Sequence, residues 1–273
     1  MRYRATVIVV VYNHEDTVKV CLESIFSNSN REECEIIVHD DCSTDDSRKI
    51  IEDTLAAWGG NYKLIYPKEN RISKGEVFIP EVLTQAEGEV IFMIEGDDYW
   101  TFDCNRTSVM SEHLLLDDNL SMVFTDTKKI DLETNQVSWL LPKVLKGRIS
   151  ALDLSKVNYS FLLVGACCFR NKPINFPTEF VASKCRDIWM PLLWSMHGDA
   201  EYIHHGGALI YNYTGLGVRS SLSDEEHALN KLVLGFQLLS HFIKTGKFSA
   251  AQNNLWRLSG AAQLLADKVT SDA

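Results

Sequence analysis

The sequence predicts an α/β fold in which a mostly parallel mixed sheet is flanked by helices and followed by a C-terminal helical tail. Two observations lead to this prediction. In roughly the first hundred residues, short apolar runs alternate with segments whose apolar residues recur at helical spacing, which is typical of βαβ units. Polar and acidic residues follow several of the apolar runs, and ligands of open α/β sheets bind beyond the carboxyl ends of the strands.

Four strands are predicted in the N-terminal part of the chain. Each is a short apolar run bounded by polar or turn-forming residues, and a run without alternation indicates a strand buried on both faces. Helical segments join the four runs, so the crossovers should be right-handed and the sheet largely parallel. The predicted strands are 6–11, 35–38, 63–66 and 89–94.

Two helices are predicted between the first three strands. Residues 18–26 and 50–58 each place their apolar side chains on one helical face. Before the second helix, Ser43 or Thr44 can cap the N-terminus. The two aspartates that follow would then lie in its first turn, where the helix dipole favours negative charge.

The second half of the chain is less regular but continues the α/β pattern. Residues 121–132 and 160–169 each favour one strand, residues 185–198 favour a short amphipathic helix ending at a glycine, and residues 200–213 favour a late strand pair. From residue 223 onward, two helical patterns around 225–244 and 249–269 predict the tail.

Charge and cysteine content restrict the class of protein. The 273 residues carry a formal net charge of -10 without a cluster of Lys and Arg, which argues against nucleic acid as a partner. Seven cysteines without a CxxC pair indicate reduced thiols and not a zinc site or a disulfide framework. The N-terminus leads into a strand and not a signal pattern, and no apolar run has membrane-span length, so a cytoplasmic protein is predicted.

The stretch IFMIEGDDYW at residues 91–100 raises the main functional question. Its apolar run leads directly into Glu95, Asp97 and Asp98, whose like charges repel one another. A bound cation or a catalytic task is the expected reason for such a group. Polar residues also end the first two strands, at 12–13 and 39–41, so three strands should deliver hydrogen-bond acceptors to one crevice.

Three segments, in order along the chain, resemble the motifs of family 2 glycosyltransferases, which have the GT-A fold. VIVVVYNHEDTVKVCLESI is similar to the family's opening strand and helix, EIIVHDDCSTDDS to its second-strand signature, and GEVIFMIEGDDYW to its metal-binding strand end. The resemblance covers roughly residues 5–215. It implies a GT-A catalytic domain at 1–222, with a nucleotide-binding half at 1–105, an acceptor-binding half at 106–222 and a helical appendage at 223–273.

The resemblance implies a nucleotide pocket at the ends of the first two strands. Tyr12 and the backbone at Val10 would line the pocket, and Asp41 would accept a hydrogen bond from the base. Asp40 would support the site from beside it. Lys74 stands about where family members often carry an Arg that binds the diphosphate.

The resemblance also implies a metal site at the end of the fourth strand. Asp97 and Asp98 would hold Mn²⁺ or Mg²⁺ against the donor diphosphate, with Asp98 as the principal ligand and Asp97 also beside the nucleotide. Thr214 stands about where the family often has a His, so Arg71 or Arg219 would have to help bind the diphosphate.

The remaining catalytic group would be a base that takes the proton of the acceptor hydroxyl. In the family this is an acid that opens a helix, and CRDIWMPLLW offers Asp187. Trp189 in this segment and Trp100 after the metal motif would either stack on the acceptor sugar or pack in the core. Asp187 could also be only a helix cap, and Glu179 and Glu201 are then the next acids to consider.

These features predict a metal-dependent inverting glycosyltransferase with a nucleotide-sugar donor, for which UDP is the expected nucleotide. Its acceptor would be a hydroxyl of a glycan or lipid-linked glycan in surface polysaccharide synthesis. The alternatives are a nucleotidylyltransferase and a non-catalytic nucleotide-sugar-binding protein. The apolar stripe of the tail predicts packing on the catalytic domain, a homodimer, or peripheral contact with the inner face of a membrane.

Overall fold

A computed structural model of the chain describes residues 2–140, 147–154, 162–183, 186–213, 223–255, 258–259 and 262. Its strands form two sheets of different size. In chain order the strands are β1 (Tyr3–Val11), β2 (Cys34–Asp40), β3 (Asn61–Ile65), β4 (Gly88–Glu95), β5 (Tyr99–Trp100), β6 (Leu120–Phe124), β7 (Thr127–Asp131), β8 (Val137–Trp139), β9 (Arg148–Ile149), β10 (Cys167–Arg170), β11 (Asp199–Tyr202) and β12 (Leu209–Tyr213).

The large sheet has eight strands in the order β3-β2-β1-β4-β10-β6-β11-β9. Strands β3, β2, β1 and β4 are parallel, β10 runs antiparallel to both of its neighbours, and β6 and β11 are again parallel. The small sheet has the order β5-β12-β7-β8 and lies beyond the end of β4. The predicted mostly parallel mixed sheet is therefore confirmed.

Helices cover both faces of the large sheet. Two apolar clusters share the sheet: one joins it to α1, α2 and α4, and the other to α3 and the helices from α5 to α8. The helices are α1 (Val18–Ser27), α2 (Ser47–Trp58), α3 (Ile79–Thr84), α4 (Arg106–Leu115), α5 (Ala151–Leu154), α6 (Thr178–Ala182), α7 (Arg186–Ser195) and α8 (Asp224–Lys244).

Two predicted strand segments are divided between the sheets. The segment 121–132 was expected to be one strand, but it breaks at Thr125 and Asp126, so β6 joins the large sheet and β7 the small one. Residues 200–213 were expected to be a strand pair, but β11 and β12 belong to different sheets. Gly206 and Gly207 have positive φ in the turn between them, which lets the chain cross from one sheet to the other.

Three element ends also differ from the prediction. Ser43 and Thr44 do not cap α2, because the helix begins only at Ser47 and its N-cap is Asp46. In the predicted strand 160–169, residues 160–161 lie outside the described residues, Val164–Ala166 form a 3₁₀ turn, and the strand β10 begins only at Cys167. Helix α7 ends at Ser195, three residues before the expected glycine.

The first tail helix, α8, packs on α6 and α7. Ser240 donates a hydrogen bond of 2.9 Å to Glu179 of α6, and Lys244 forms an ion pair with the same carboxylate. His241 meets Trp189 of α7 edge to face, with 5.5 Å between ring centroids. Residues 248–255 of the second predicted tail helix are helical, and most of the rest lies outside the described residues. Within the described part of the chain, no helix is long and apolar enough to cross a membrane.

Candidate active site

Three carboxylates form a compact group at the end of β4. One oxygen each of Glu95, Asp97 and Asp98 lies within 4.8 Å of the others. The apolar run of β4 is buried between β1 and β10, and this fixes the backbone from which the acidic turn projects. Gly96 begins that turn by donating its N–H to the carbonyl of Val10, at 2.8 Å. The sequence therefore placed the acidic group correctly at the carboxyl edge of the sheet.

The surroundings of the acidic group disfavour the negative charge of its carboxylates. Although Glu95 opens onto the crevice, the protein around it limits hydration of the carboxylate and raises its pKa to about 7. The charges of Asp97 and Asp187 act in the same direction. Asp98 is buried, and the lost hydration, followed by repulsion from Asp97 and Glu95, holds its pKa well above the usual range. A positive charge placed among these groups would relieve all three effects.

Asn212 and His14 support this group, and the sequence analysis missed both. The backbone N–H of Asn212 donates to Asp98 Oδ1 at 3.2 Å, and its side-chain amide donates to the carbonyl of Asp97 at 2.8 Å. His14 Nε2 lies 3.9 Å from Asp97 Oδ2. Asn212 is more than a hundred residues away along the chain, so no local pattern could have indicated it.

The acidic group fits a hard divalent cation. Mn²⁺ and Mg²⁺ take oxygen ligands and are often held by only one or two protein carboxylates together with substrate phosphates. Asp97 Oδ1 is buried, and no donor among the described residues gives it a hydrogen bond. A buried acceptor without a partner, next to two carboxylates whose charge is disfavoured, is what a cation would stabilise.

Asp187 lies in the first turn of α7, as the sequence predicted. Its charge is close enough to the acidic group to raise the pKa of Glu95. Helix α7 is anchored behind it, because Ile188, Trp189 and Met190 are buried in the core. The structure thus brings Asp187 near the acidic group.

Asp41 is buried, whereas a carboxylate that binds a nucleotide base must be accessible. Its side chain has 0% exposed surface. Its two oxygens accept backbone hydrogen bonds from Arg71 and Ile72, each at 2.9 Å. Residues 71–72 therefore cover the carboxylate, and a base could reach it only if this segment moved.

The other residues predicted for a nucleotide pocket divide into a buried one and an exposed one. Asp40 is fully buried, accepts two hydrogen bonds from Ser43 and pairs with Arg48 at the start of α2. It therefore holds the turn after β2 in place. Tyr12, directly after β1, is 42% exposed and is therefore accessible from solvent.

The basic residues predicted to bind the diphosphate either pair with glutamates or lie outside the described residues. Lys74 forms an ion pair with Glu69. Arg71 binds Glu76 at 3.1 Å and Glu81 at 2.8 Å. Thr214 and Arg219 lie outside the described residues.

The burial of the two tryptophans argues against the predicted acceptor-binding role. Trp100 is fully buried, donates its indole N–H to the carbonyl of Gly165 and lies under the guanidinium of Arg106. Trp189 is fully buried between α7 and α8. A sugar ring needs an exposed aromatic face, and neither side chain has one.

The alternative acids Glu179 and Glu201 already have partners. Lys244 holds the pKa of Glu179 at about 2, and Glu201 lies 3.1 Å from His113. Both carboxylates are thus engaged in contacts between elements of the fold. Of the three acids considered as the base, only Asp187 is shown to act on the acidic group.

The comparison with protein families decides the identity. The model described as glycosyl transferase family 2 matches residues 6–173. The chain belongs to this family. The match to the family 2 glycosyltransferases includes β1, β2, β4 and the acidic group, and it confirms the resemblance seen in the sequence.

Curated relatives match this family 2 glycosyltransferase over about a third of its length. It is 31% identical over 99 residues to the poly(ribitol-phosphate) beta-glucosyltransferase of Bacillus spizizenii, over 35% of this chain and 15% of that protein. It is 34% identical over 95 residues to the putative glycosyltransferase EpsE of Bacillus subtilis, over 35% of this chain and 33% of that protein. An uncharacterized protein of Mycobacterium tuberculosis matches over 27% of its length. The matches thus span about a third or less of the length of these relatives.

Solved structures show that the family 2 glycosyltransferase has the GT-A fold. TarS 1-349 of S. aureus has a TM-score of 0.64 at 18% identity, over 93% of this chain and 71% of that one. Its complex with UDP-GlcNAc gives a TM-score of 0.61. The mannosyltransferase PcManGT of Pyrobaculum calidifontis, in complex with GDP-Man and Mn²⁺, gives 0.61 at 16% identity, over 99% of this chain and 76% of that one.

Proposed function

We propose that the protein is a metal-dependent, inverting glycosyltransferase that transfers a sugar from a UDP-sugar to a hydroxyl of a glycan acceptor. The carrying observation is the group of Glu95, Asp97 and Asp98 at the carboxyl edge of the sheet, with Asp187 acting on it from α7. Three mutually repelling carboxylates whose described ion-pair partner is the imidazole of His14, 3.9 Å from Asp97, are expected where a cation and a diphosphate complete the site.

Asp98 and Asp97 would hold the cation, and Glu95 would support them. Asn212 keeps both aspartates in position through the carboxylate of Asp98 and the carbonyl of Asp97. When bound, Mn²⁺ or Mg²⁺ neutralises charge on the departing nucleoside diphosphate. The neighbours solved with UDP, UDP-GlcNAc, or GDP-Man and Mn²⁺ support this class of donor.

The nucleoside would bind between the ends of β1 and β2. Tyr12 and the backbone of Val10 line this side of the crevice, and Asp40 holds the turn after β2. Asp41 would accept a hydrogen bond from the base after residues 71–72 have moved away from its oxygens. Lys74 would have to leave Glu69 to reach the diphosphate.

Asp187 would be the general base. As the acceptor oxygen forms its bond to the anomeric carbon, the acceptor hydroxyl gives its proton to the Asp187 carboxylate. The bond between the anomeric carbon and the phosphate oxygen breaks at the same time, and its electron pair leaves with UDP. A single displacement of this kind inverts the anomeric centre and needs no carboxylate nucleophile.

The name of one relative supports a polymer that carries hydroxyl groups as the acceptor. That relative is the poly(ribitol-phosphate) beta-glucosyltransferase, which matches the chain over 99 residues, and the putative glycosyltransferase EpsE, which matches over 95 residues, supports the transferase class. We therefore place the protein in surface polysaccharide synthesis, on a growing or lipid-linked glycan.

Thermal unfolding with UDP tests the donor and metal parts of this proposal. UDP should raise the melting temperature much more with Mn²⁺ than with EDTA, because diphosphate and cation complete one site. At a ligand concentration of about 100 times Kd the expected stabilisation is roughly 2.7 kcal/mol. GDP serves as the nucleotide control and should stabilise less.

Asp98→Ala should abolish the difference between Mn²⁺ and EDTA and leave the protein folded. If UDP stabilised the wild-type protein equally in both buffers, the metal site would be refuted. A larger effect of GDP than of UDP would keep the metal site and replace the donor.

A further inference from the structure

One exposed tryptophan stands out among those that the structure describes. Trp139, at the end of β8, is 60% exposed, whereas Trp58, Trp100, Trp189 and Trp194 are all buried. An exposed indole offers a large apolar face with a polar N–H, a combination common at sites that bind partly polar ligands. Because burial removes both candidate sugar-stacking tryptophans from the crevice, Trp139 is the exposed tryptophan left to consider among the described residues.

Strand register places Trp139 on the face of the small sheet that leads to the acidic group. Trp139 pairs with Lys128 of β7, and Lys128 pairs with Ile210 of β12. Since side chains of paired residues lie on the same face and alternate along a strand, Asn212 shares this face with Trp139. The Asn212 side chain binds the carbonyl of Asp97. The face is therefore continuous from the acidic turn to the indole.

Exposure increases along this face. Ile210, next to the acidic turn, is buried, and Lys128 and Ile130 in the middle are half-buried. At the far side, Val137 is 53% and Trp139 is 60% exposed. Trp139 lies two strands from β12, about 10 Å across the sheet at the usual strand spacing of about 4.8 Å. The face thus forms a ledge that begins at the acidic group and opens to solvent at Trp139.

We propose that this ledge, made of Trp139, Val137 and Lys128, is a carbohydrate subsite that holds the acceptor glycan beyond the sugar that reacts. The indole would stack on the apolar face of a sugar ring, and the Lys128 ammonium would donate to its hydroxyls or to an anionic substituent. The hairpin of β7 and β8 holds these side chains on paired strands, which favours a preorganised site.

The choice of a glycan as occupant rests on this continuity and on the proposed transferase function. A strand that carries Asn212 at the acidic group and borders Lys128 on the other side connects the reacting centre with the ledge. The subsite would bind oligosaccharides and contribute little to the binding of the donor. Acceptor binding and donor binding can therefore be tested apart.

Binding to a printed array of defined oligosaccharides, with UDP and Mn²⁺ present, tests the subsite. We expect the wild-type protein to bind a subset of the array and Trp139→Ala to weaken those signals about tenfold or more. Trp139→Phe should keep a large part of the signal, because it preserves an aromatic face. Tyr62→Ala is the matched control. Tyr62 is an aromatic residue with 43% exposure, and it lies on β3, an edge strand of the large sheet, whereas Trp139 lies in the small sheet.

Three outcomes would overturn the subsite. The first is that the wild-type protein binds no oligosaccharide on the array, and the second is that the signals persist in Trp139→Ala. The third is that light scattering shows an oligomer that Trp139→Ala dissociates, which would make the ledge a contact between copies of the chain. The melting shift with UDP and Mn²⁺ should be unchanged in all variants. Its absence in the wild-type protein would refute the proposed donor chemistry, and the array would still decide the subsite.

Discussion

The two edges of the large sheet treat buried carboxylates in opposite ways. At the amino edge, Glu35 is 1% exposed, but it accepts hydrogen bonds from the Thr6 hydroxyl at 2.6 Å and from the Glu87 N–H, and Lys63 lies 3.2 Å away. At the carboxyl edge, Asp98 is nearly as buried, and the nearest charges are carboxylates.

The difference separates a stabilising acid from a functional one. Glu35 has donors and a cation that compensate for its lost hydration, so it joins β1, β2 and the turn before β4. The acids after β4 are left without a described cation, which a protein selected only for stability would avoid. A buried acid by itself therefore says little about function, and the charges around it decide.

The largest expected effect comes from the carboxyl edge and concerns rate. Asp187→Asn keeps the volume of the side chain and its ability to cap α7, so stability and UDP binding should stay near wild type. Turnover should fall by about 10²- to 10⁴-fold, the usual contribution of a positioned base. Release of UDP from a UDP-sugar, with water or an oligosaccharide as acceptor, measures it.

Glu179→Gln is the control for this loss, because Glu179 also lies in the first turn of a helix but pairs with Lys244. It should retain turnover. Near-normal turnover in Asp187→Asn would show that Asp187 is only a cap, and would favour a non-catalytic nucleotide-sugar-binding protein or another base.

The next effect comes from the amino edge and concerns stability. Glu35→Gln removes a charge that Lys63 and two donors stabilise, so the free energy of unfolding should fall by about 1–3 kcal/mol. The Mn²⁺-linked effect of UDP should be unchanged. Urea unfolding measures the free energy of unfolding, and thermal shift measures the Mn²⁺-linked effect of UDP.

Glu33→Gln is the control. Glu33 is exposed on the same edge and pairs with Arg4 at 3.7 Å, so its substitution should change stability by less than about 0.5 kcal/mol.

If Glu35→Gln were as stable as the wild-type protein, the partners of Glu35 would not compensate its burial, and the contrast between the edges would lose its energetic basis. Loss of the Mn²⁺ effect in this variant would show that the two edges are coupled through the sheet.

The third expected effect is a pH dependence at the carboxyl edge. The pKa of Glu95 is raised from 4.5 to about 7, so between these values the folded protein binds a proton that the unfolded chain lacks. This group therefore stabilises the metal-free fold at low pH, and the contribution is lost as pH rises toward about 7. Cations compete with that proton, so below about pH 7 the Mn²⁺ affinity should fall about tenfold per pH unit for each proton displaced.

Calorimetric Mn²⁺ titrations at several pH values check this slope. Glu95→Gln should flatten it, because the titrating group is gone. A slope that survived in Glu95→Gln would assign the titration to Asp98, whose pKa is also raised.

The sequence predicted most of the first hundred residues of the fold well because its signals are local. The four predicted strands and the two predicted helices are present, with ends that differ by up to three residues, whereas the short α3 and β5 were not predicted. The break in the segment 121–132 could not be predicted, because β6 and β7 are defined by partners, β10, β11 and β12, that come much later in the chain.

The site was predictable in part for the same reason. Local order along the chain gave the acidic group, and the start of α7 gave Asp187. The covering of Asp41 depends on backbone groups 30 and 31 residues away. The burial of Trp100 depends on a carbonyl 65 residues away. Contacts of such range leave no periodic pattern in the sequence.

The cover over Asp41 has a consequence for how donor affinity should be understood. If the base binds only when residues 71–72 have released the carboxylate, the measured dissociation constant equals the intrinsic one divided by the open fraction. The ion pairs of Arg71 with Glu76 and Glu81 help to set that fraction, although none of these side chains needs to touch the nucleotide. Substitution of these charged residues would then change donor affinity, because it would change the fraction of molecules in which the pocket is open.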